Sequence, residues 1–361
     1  MGIRMTSPRA LRLAAATACL AAAASTACRG AADAGAAKKD AVSVGVVLST
    51  GGRGDKGFND AALKGLARAA RDLGADTIVA QNTTDESRPE SLGQYAAAGR
   101  DLVVGISFMM SQPGFELAQK YPAVKFAVLD YSPVTDKEGR ALPAPPNLAG
   151  VTYRSEEGAY LAGAIAGLKS VTHRVGFIGG MNVGVIRQFE AGYTAGVREV
   201  CPDCIVVVDY AGSTPLAFND PARGKALAQA QYAGGVDVIF HASGGTGKGV
   251  FEAAREAPAG KWVIGVDVDQ SAEAPGRVLT SVTKNLDVSV YGLIRAVKEG
   301  TFRGGLVSQG LADGAVGYVR NESNRALLPQ SVSDRVETLR AAIVAGLIMV
   351  PKVPAARRGA R

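Results

Sequence analysis

The feature of this chain that most constrains its fold is a regular alternation of short apolar runs with longer stretches of helical spacing. The runs contain few polar residues, as expected of strands in a parallel sheet that helices cover on both faces. They fall into two rounds, namely 42–48, 77–80, 102–106 and 124–129, followed by 175–178, 205–208, 236–240, 262–266 and 278–282. We therefore predict an α/β protein in which two parallel-sheet lobes are joined by a hinge.

The length of 361 residues is sufficient for two lobes of ordinary size. We predict a first lobe at 42–152 plus about 284–305, and a second lobe at 153–283 plus about 306–350. A proline-rich segment at 136–147 indicates a loop or boundary before the first crossing. Much of the formal charge of +7 resides near the N-terminus and in a basic tail at 351–361. Because the body has no cluster of Lys and Arg, we expect no nucleic-acid partner.

The N-terminus has the pattern of an export signal. Three arginines precede an apolar run that is too short to span a bilayer as a stable helix. The run ends in Ser25-Thr26-Ala27-Cys28, which resembles the cleavage motif of bacterial lipoproteins, although Ser25 replaces the more usual Leu. We predict a signal at 1–27, lipidation of Cys28 and a flexible tether at 28–41. Simple signal cleavage nearby, lipidation at Cys19 and an uncleaved membrane anchor are the alternatives. The mature chain would then be attached to the cell membrane on its extracytoplasmic (periplasmic) side.

Two cysteines remain after removal of the predicted signal and lipidation of Cys28. Cys201 and Cys204 form a Cys-Pro-Asp-Cys motif that lies between a helical pattern and the strand at 205–208. A redox-active motif of this spacing usually begins a helix, where the thiol pKa is lowered. We therefore predict a structural disulfide, with free thiols and a redox or metal-binding role as alternatives.

Polar and aromatic residues recur just after the predicted strands, where parallel sheets bind ligands. The candidates of this kind are Phe58 and Asn59, Asp130, Phe218, Gly245, Asp267 and Lys284. Two aromatic rings, two carboxylates, an amide and an ammonium suit a flat ring that carries a polyhydroxylated group. Only two histidines are present and no ligand spacing is evident, so we predict no metal site and no cofactor.

Several of these residues lie in motifs that resemble those of the basic membrane protein family, the PnrA-like nucleoside-binding lipoproteins. Asp55-Lys56-Gly57-Phe58-Asn59 is similar to the Asp-Lys-Ser-Phe-Asn motif of that family. The other matching segments are 126–130, 157–163, 176–180, 237–247, 265–267 and 280–284. The resemblance extends from about residue 42 to about residue 300. The chain differs from many family members at Ser49-Thr50, where they carry an acid.

The resemblance implies a type I periplasmic-binding fold with two Rossmann-like lobes that hold a purine nucleoside between two phenylalanines. Carried over by motif, Phe58 and Phe218 would stack on the base, and Asn59 and Asp130 would bond to it. Gly245, Asp267 and Lys284 would surround the ribose. The expected partners are a nucleoside and the permease of an ABC importer, and we expect a monomer without enzymatic activity. A sugar-binding protein of the same fold, a ligand sensor for a membrane receptor and an extracytoplasmic hydrolase are the alternatives.

Overall fold

The computed structural model describes Gly2, residues 41–80, Thr84 and residues 87–355. The predicted signal (Gly2 apart), Cys28, the tether before Ala41 and the end of the basic tail lie outside these residues. From Ala41 onward, the described residues belong to one compact unit. Among the described helices, none combines the length and apolar character needed to cross a membrane.

The first lobe is built on a six-stranded sheet in which every pair of neighbouring strands is parallel. Its strands are β1 (Ser43–Val47), β2 (Asp76–Ala80), β3 (Leu102–Ile106), β4 (Lys125–Leu129), β5 (Leu148–Tyr153) and β11 (Gly305–Gln309). They are arranged in the order β11-β5-β4-β3-β1-β2. The central strands are buried on both faces, which explains why their sequences are continuously apolar.

The second lobe repeats this architecture with one antiparallel strand at the edge. Its strands are β6 (Arg174–Met181), β7 (Ile205–Gly212), β8 (Val238–Ala242), β9 (Trp262–Asp267), β10 (Val278–Lys284) and β12 (Val316–Tyr318). Their order is β12-β10-β9-β8-β6-β7, in which β12 pairs antiparallel with β10. The two sheets establish the predicted α/β class with two parallel-sheet lobes.

Helices cover the sheets of both lobes. They are α1 (Phe58–Leu73), α2 (Ser87–Ala97), α3 (Ser111–Lys120), α4 (Ser155–Lys169), α5 (Gly184–Val200), α6 (Pro221–Ala233), α7 (Gly247–Glu256), α8 (Leu286–Lys298) and α9 (Gln330–Val344). α4 is almost entirely buried and lies close against α5. A Cβ atom added at Gly196 would lie 1.9 Å from the carbonyl oxygen of Tyr160, so this approach requires glycine.

The chain passes between the lobes at three places. β5 ends at Tyr153 and α4 packs in the second core, whereas α8 follows β10 and returns to the first core. The first crossing lies between Tyr153 and Ser155, and the second lies between Lys284 and Leu286. The third differs from the prediction near residue 306, because β11 pairs with β5 and the chain reaches the second sheet only at β12.

Cys201 and Cys204 close a short turn between α5 and β7. Their sulfur atoms are bonded to each other in a disulfide, as the sequence predicts. Both residues are buried at the margin of the second core. The disulfide therefore joins the end of a packed helix to the beginning of an edge strand.

Candidate functional site

A cleft lies between the two lobes at the carboxyl ends of their strands. It encloses about 590 Å³ of empty space, part of which is open to solvent. The first lobe lines it with Ser49, Thr50, Asp55, Phe58, Ser107, Phe108, Met109 and Asp130. The second lobe lines it with Val185, Ile186, Phe189, Phe218, Ala242, Gly244, Val266, Asp267 and Lys284. This position is typical of small-molecule sites in α/β proteins.

Two phenylalanines enter the cleft from opposite lobes. Phe58 is the first residue of α1, and Phe218 ends a short 3-10 turn at Pro215–Phe218. The ring of Phe218 packs over the backbone of Gly180, where an added Cβ atom would lie 2.3 Å from Cε1 of the ring. Gly180 therefore provides the space that the Phe218 ring occupies. Rings in this arrangement can stack on a flat heterocycle.

An ion pair connects the two lobes inside the cleft. Lys284 ends β10, and its Nζ lies 3.0 and 2.9 Å from the two carboxylate oxygens of Asp130, which follows β4. The Lys284 side chain is only 4% exposed and that of Asp130 is 12% exposed. The ammonium also lies 5.1 Å from the ring centroids of Phe58 and Phe189 and 5.3 Å from that of Tyr153. A desolvated cation is thus compensated by one carboxylate and three aromatic rings.

Asp267 is a buried carboxylate with no hydrogen-bond partner among the described residues. It ends β9 at φ 69°, is 7% exposed and lines the cleft. Burial raises the pKa of Asp267 to about 7 against the opposing effect of the Lys284 ammonium, and Asp130 and Asp55 add to the increase. Because buried acceptors are normally hydrogen-bonded, this carboxylate is available to hydroxyl donors of a ligand.

Asp55 and Asn59 organise the entrance to α1. Asp55 accepts hydrogen bonds from the backbone N–H groups of Gly57, Asn59 and Asp60 and from Nδ2 of Asn59. Burial raises the pKa of Asp55, although the backbone bonds oppose the increase. Oδ1 of Asn59 accepts from N and Oγ of Ser49, at 2.9 and 3.1 Å. Asn59 is fully buried behind Ser49 and Asp55 and does not line the cleft, in contrast to the predicted base contact.

Gly245 also lies outside the cleft lining, in contrast to the predicted ribose contact. The neighbouring Gly244 lines the cleft instead, because a 3-10 turn at Gly244–Thr246 redirects the chain after β8. A Cβ atom at Gly245 would lie 3.1 Å from Oδ1 of Asn219 and 3.3 Å from the carbonyl oxygen of Phe218. Gly245 therefore allows the Phe218 loop to approach closely. The structure thus brings Phe58, Asp130, Phe218, Asp267 and Lys284 together.

Two groups of lining residues were not among the sequence candidates. Ser107, Phe108 and Met109 follow β3 directly, so the rule that selects residues after strands would have identified them. Phe189 and its neighbours on α5 are apolar and have the spacing of ordinary core residues. Their sequence contains no signal that distinguishes a cleft wall from a core.

Among the described residues, one group of potential metal ligands comes within reach of a single ion. It consists of His173, Cys201 and Asp203, whose ligand atoms lie within 4.8 Å of one another. The sulfur of Cys201 is bonded to Cys204 and is therefore not a free thiolate. The group also lies at the opposite end of α5 from the cleft. It does not contribute to the candidate site.

Comparisons with known proteins agree with this architecture. A family model described as "ABC transporter substrate-binding protein PnrA-like" matches residues 42–352. Basic membrane protein A2 of Borrelia garinii subsp. bavariensis is 34% identical over 307 residues, which cover 84% of this chain and 87% of that protein. The matched region contains both lobes and the complete cleft lining.

Solved structures share the same fold. An ABC transporter solute-binding protein from Aeropyrum pernix K1 superposes with a TM-score of 0.76 at 30% identity, covering 86% of this chain and 94% of that one. A glucose-galactose binding protein from Geobacillus stearothermophilus superposes with a TM-score of 0.58 at 16% identity, covering 78% and 98%. The fold is therefore that of the type I periplasmic-binding proteins. At such low identity, the second likeness concerns the fold alone.

Proposed function

This chain belongs to the Bmp family of PnrA-like ABC transporter substrate-binding proteins, and we propose that its cleft binds a purine ribonucleoside. Members of this family bind solutes for transport and are not enzymes. The partners of the chain are accordingly a solute and the permease of its transporter. The nucleoside is the part of this assignment that rests on the site.

The observation that carries the proposal is the combination of rings and charges in one cleft. Phe58 and Phe218 from opposite lobes suit the two faces of a base, and stacking on an aromatic ring contributes about 1–3 kcal/mol per base. Asp267 offers a buried acceptor without a partner among the described residues, which suits ribose hydroxyls. Beside Asp267, the Lys284–Asp130 pair provides both a hydrogen-bond donor and hydrogen-bond acceptors.

The charges of the cleft favour an uncharged ligand. Asp55, Asp130 and Asp267 line it, and Lys284 is the single cation among the described lining residues. When its carboxylates are ionised, the cleft is negatively charged and would repel a phosphate group. We therefore propose that nucleosides, and not nucleotides, are the ligands.

The proposed location is the extracytoplasmic face of the cell membrane. The apolar run at 13–24 and the motif that ends at Cys28 support export followed by lipidation. Relatives named basic membrane proteins are consistent with attachment to a membrane.

The decisive experiment is calorimetric titration of the purified chain with inosine, adenosine, guanosine, uridine, ribose and glucose. We expect a purine ribonucleoside to bind most tightly. Phe58→Ala should weaken its binding about tenfold or more, because one stacking face is lost. Tyr121→Ala, which removes an aromatic residue outside the cleft, is the matched control and should bind normally. Binding of glucose without any nucleoside would contradict the proposal and favour a sugar-binding protein.

A second expectation concerns the sugar. A 2′-deoxynucleoside should bind at least several-fold more weakly than the ribonucleoside with the same base. A missing hydroxyl would leave buried Asp267 without one donor, which costs about 1–3 kcal/mol. Competition between inosine and 2′-deoxyinosine measures the difference. Equal affinities would exclude contact between the 2′-hydroxyl and Asp267.

A further inference from the structure

Polar contacts also join the lobes at the mouth of the cleft, outside the residues that would hold the base and ribose. They begin on the loop at residues 51–57, which we call the bridging loop. The backbone carbonyl of Lys56 accepts a 3.0 Å hydrogen bond from Nε2 of Gln270 in the second lobe. The Lys56 ammonium lies 2.9 Å from Glu273, and Nζ of Lys248 donates to the carbonyl of Gly54 at 2.8 Å.

We propose that Gln270 is a positioning residue that holds the bridging loop across the closed cleft and thereby sets how long a ligand stays bound. The inference deepens the proposed function, because the ligand retained would be the nucleoside. The bond to Lys56 connects the two lobes directly, so it must break when the cleft opens. Gln270 is only 5% exposed, and water therefore competes little for this bond.

The rest of the Gln270 side chain is held within the second lobe. Its Oε1 accepts from the backbone N–H of Val266 at 2.8 Å and from Nε2 of His241 at 3.2 Å. Its own backbone N–H donates to Oγ of Ser281. A Cβ atom at Gly265 would lie 2.6 Å from Oε1 of Gln270. The carboxamide therefore occupies the space that a side chain at position 265 would fill. These contacts orient the Nε2 donor toward the first lobe.

The buried histidine is suited to this supporting role. Burial lowers the pKa of His241 to about 4, so its ring is neutral at physiological pH. Oγ of Ser243 lies 3.3 Å from Nδ1, which allows Nδ1 to accept and Nε2 to donate to Gln270. The histidine therefore supports the carboxamide oxygen and leaves the carboxamide nitrogen for Lys56.

The same side chain connects closure to the ligand site. Val266, which donates to Oε1 of Gln270, immediately precedes Asp267, the carboxylate that we assign to the ribose. On the other side of the contact, Lys56 lies between Asp55 and Gly57, just before the stacking ring of Phe58. When the lobes close, this one hydrogen bond therefore fixes the backbone next to Phe58, which would contact the base, and next to Asp267, which would contact the ribose.

The exposed ion pair should contribute less than this bond. The Lys56 side chain is 59% exposed, and solvent screens its attraction to Glu273. Glu273→Gln is consequently a suitable matched control, since it removes a contact between the same two loops without affecting the buried carboxamide.

Gln270→Glu separates the two functions of the side chain. In its ionised form, the new carboxylate can still accept from Val266 and His241, but it presents an oxygen to the carbonyl of Lys56 where the amide presented a donor. We expect inosine to dissociate about tenfold faster from this variant in stopped-flow measurements, with a small change in association rate. Glu273→Gln should change the dissociation rate less than about threefold.

A second measurement needs no ligand. Spin labels at Ala67→Cys on α1 and Ala230→Cys on α6, both exposed, report the distance between the lobes. Gln270→Glu should shift the unliganded distances toward an open form, and Glu273→Gln should leave them unchanged. If Gln270→Glu proves unfolded by circular dichroism, Lys248→Met removes the surface contact with the bridging loop instead. It should also shift the label distances toward the open form.

The two proposals fail in different ways. Unchanged distances and an unchanged dissociation rate in folded Gln270→Glu would overturn the role of Gln270. Lack of binding of inosine, adenosine and guanosine by the wild-type chain would overturn the nucleoside assignment. In that case, the label distances would still decide whether Gln270 holds the lobes together.

Discussion

Inosine is expected to bind about 100-fold more weakly at pH 5 than at pH 8, and Asp267→Asn is expected to remove most of this difference. Burial raises the pKa of Asp267 to about 7, so the unliganded protein is protonated there at pH 5 and largely ionised at pH 8. Ribose hydroxyls donate to the ionised carboxylate, so binding favours loss of the proton. The apparent affinity should therefore fall about tenfold for each pH unit below 7.

Calorimetry in two buffers of different ionisation enthalpy provides a direct check, because binding near pH 6 should release a proton. The other charged groups that affect Asp267 are Lys284, Asp130 and Asp55. In Asp267→Asn, the residual pH dependence would be due to those groups. A pH-independent affinity in the wild-type chain would contradict the assignment of Asp267 as the acceptor for ribose.

The sign of the stability effect is opposite to that of binding. A carboxyl group whose pKa is raised by folding contributes stability at low pH, and this contribution is lost as the pH rises through the folded-state value. Asp267 and Glu156, whose pKa burial also raises to about 7, should both make the unliganded protein less stable at pH 8 than at pH 5. The stabilisation by inosine should consequently be larger at pH 8.

Replacement of Lys284 by methionine is expected to lower the free energy of unfolding by about 3–5 kcal/mol and to abolish detectable nucleoside binding. The ammonium is almost fully buried and bonds both oxygens of Asp130. Removal of one partner leaves a buried charge without compensation, which accounts for the large expected cost. Denaturant titration and calorimetry would measure the two effects separately.

The double variant Lys284→Met/Asp130→Asn distinguishes stability from function, since Asn tolerates the left-handed backbone at position 130, where φ is 58°. Removal of both charges should recover much of the lost free energy of unfolding, because buried ion pairs are often replaceable by uncharged groups. Nucleoside binding should remain absent, since the polar contacts of the cleft are still missing. Normal binding by the stable double variant would show that the ion pair acts only in the fold.

Local patterns were sufficient for much of the fold. The apolar runs at 102–106 and 262–266 predict β3 and β9 almost to the residue, because strands buried on both faces need continuous apolar sequence. β11 is not among the predicted strands, because a strand at a sheet edge does not need a continuously apolar sequence. It contains the polar residues Ser308 and Gln309. β5 directly follows the proline-rich segment at 136–147, which is predicted as a loop or boundary, and is itself not among the predicted strands.

The chemical groups that follow the strands can be read from the order of residues alone, which assigns Phe58 and Asp130 to the ligand edge of one lobe and Asp267 and Lys284 to that of the other. Parallel strands end at one edge of a sheet, so the order of residues along the chain is enough to place each group at the ligand edge of its own lobe. Which of their neighbours face the cleft depends on long-range packing. Asn59 points instead toward Ser49 and Asp55, and Gly245 lies against Asn219 and the backbone of Phe218. The contact between Lys56 and Gln270 likewise depends on how the lobes close, because side-chain direction and lobe position arise from long-range packing that local sequence does not encode.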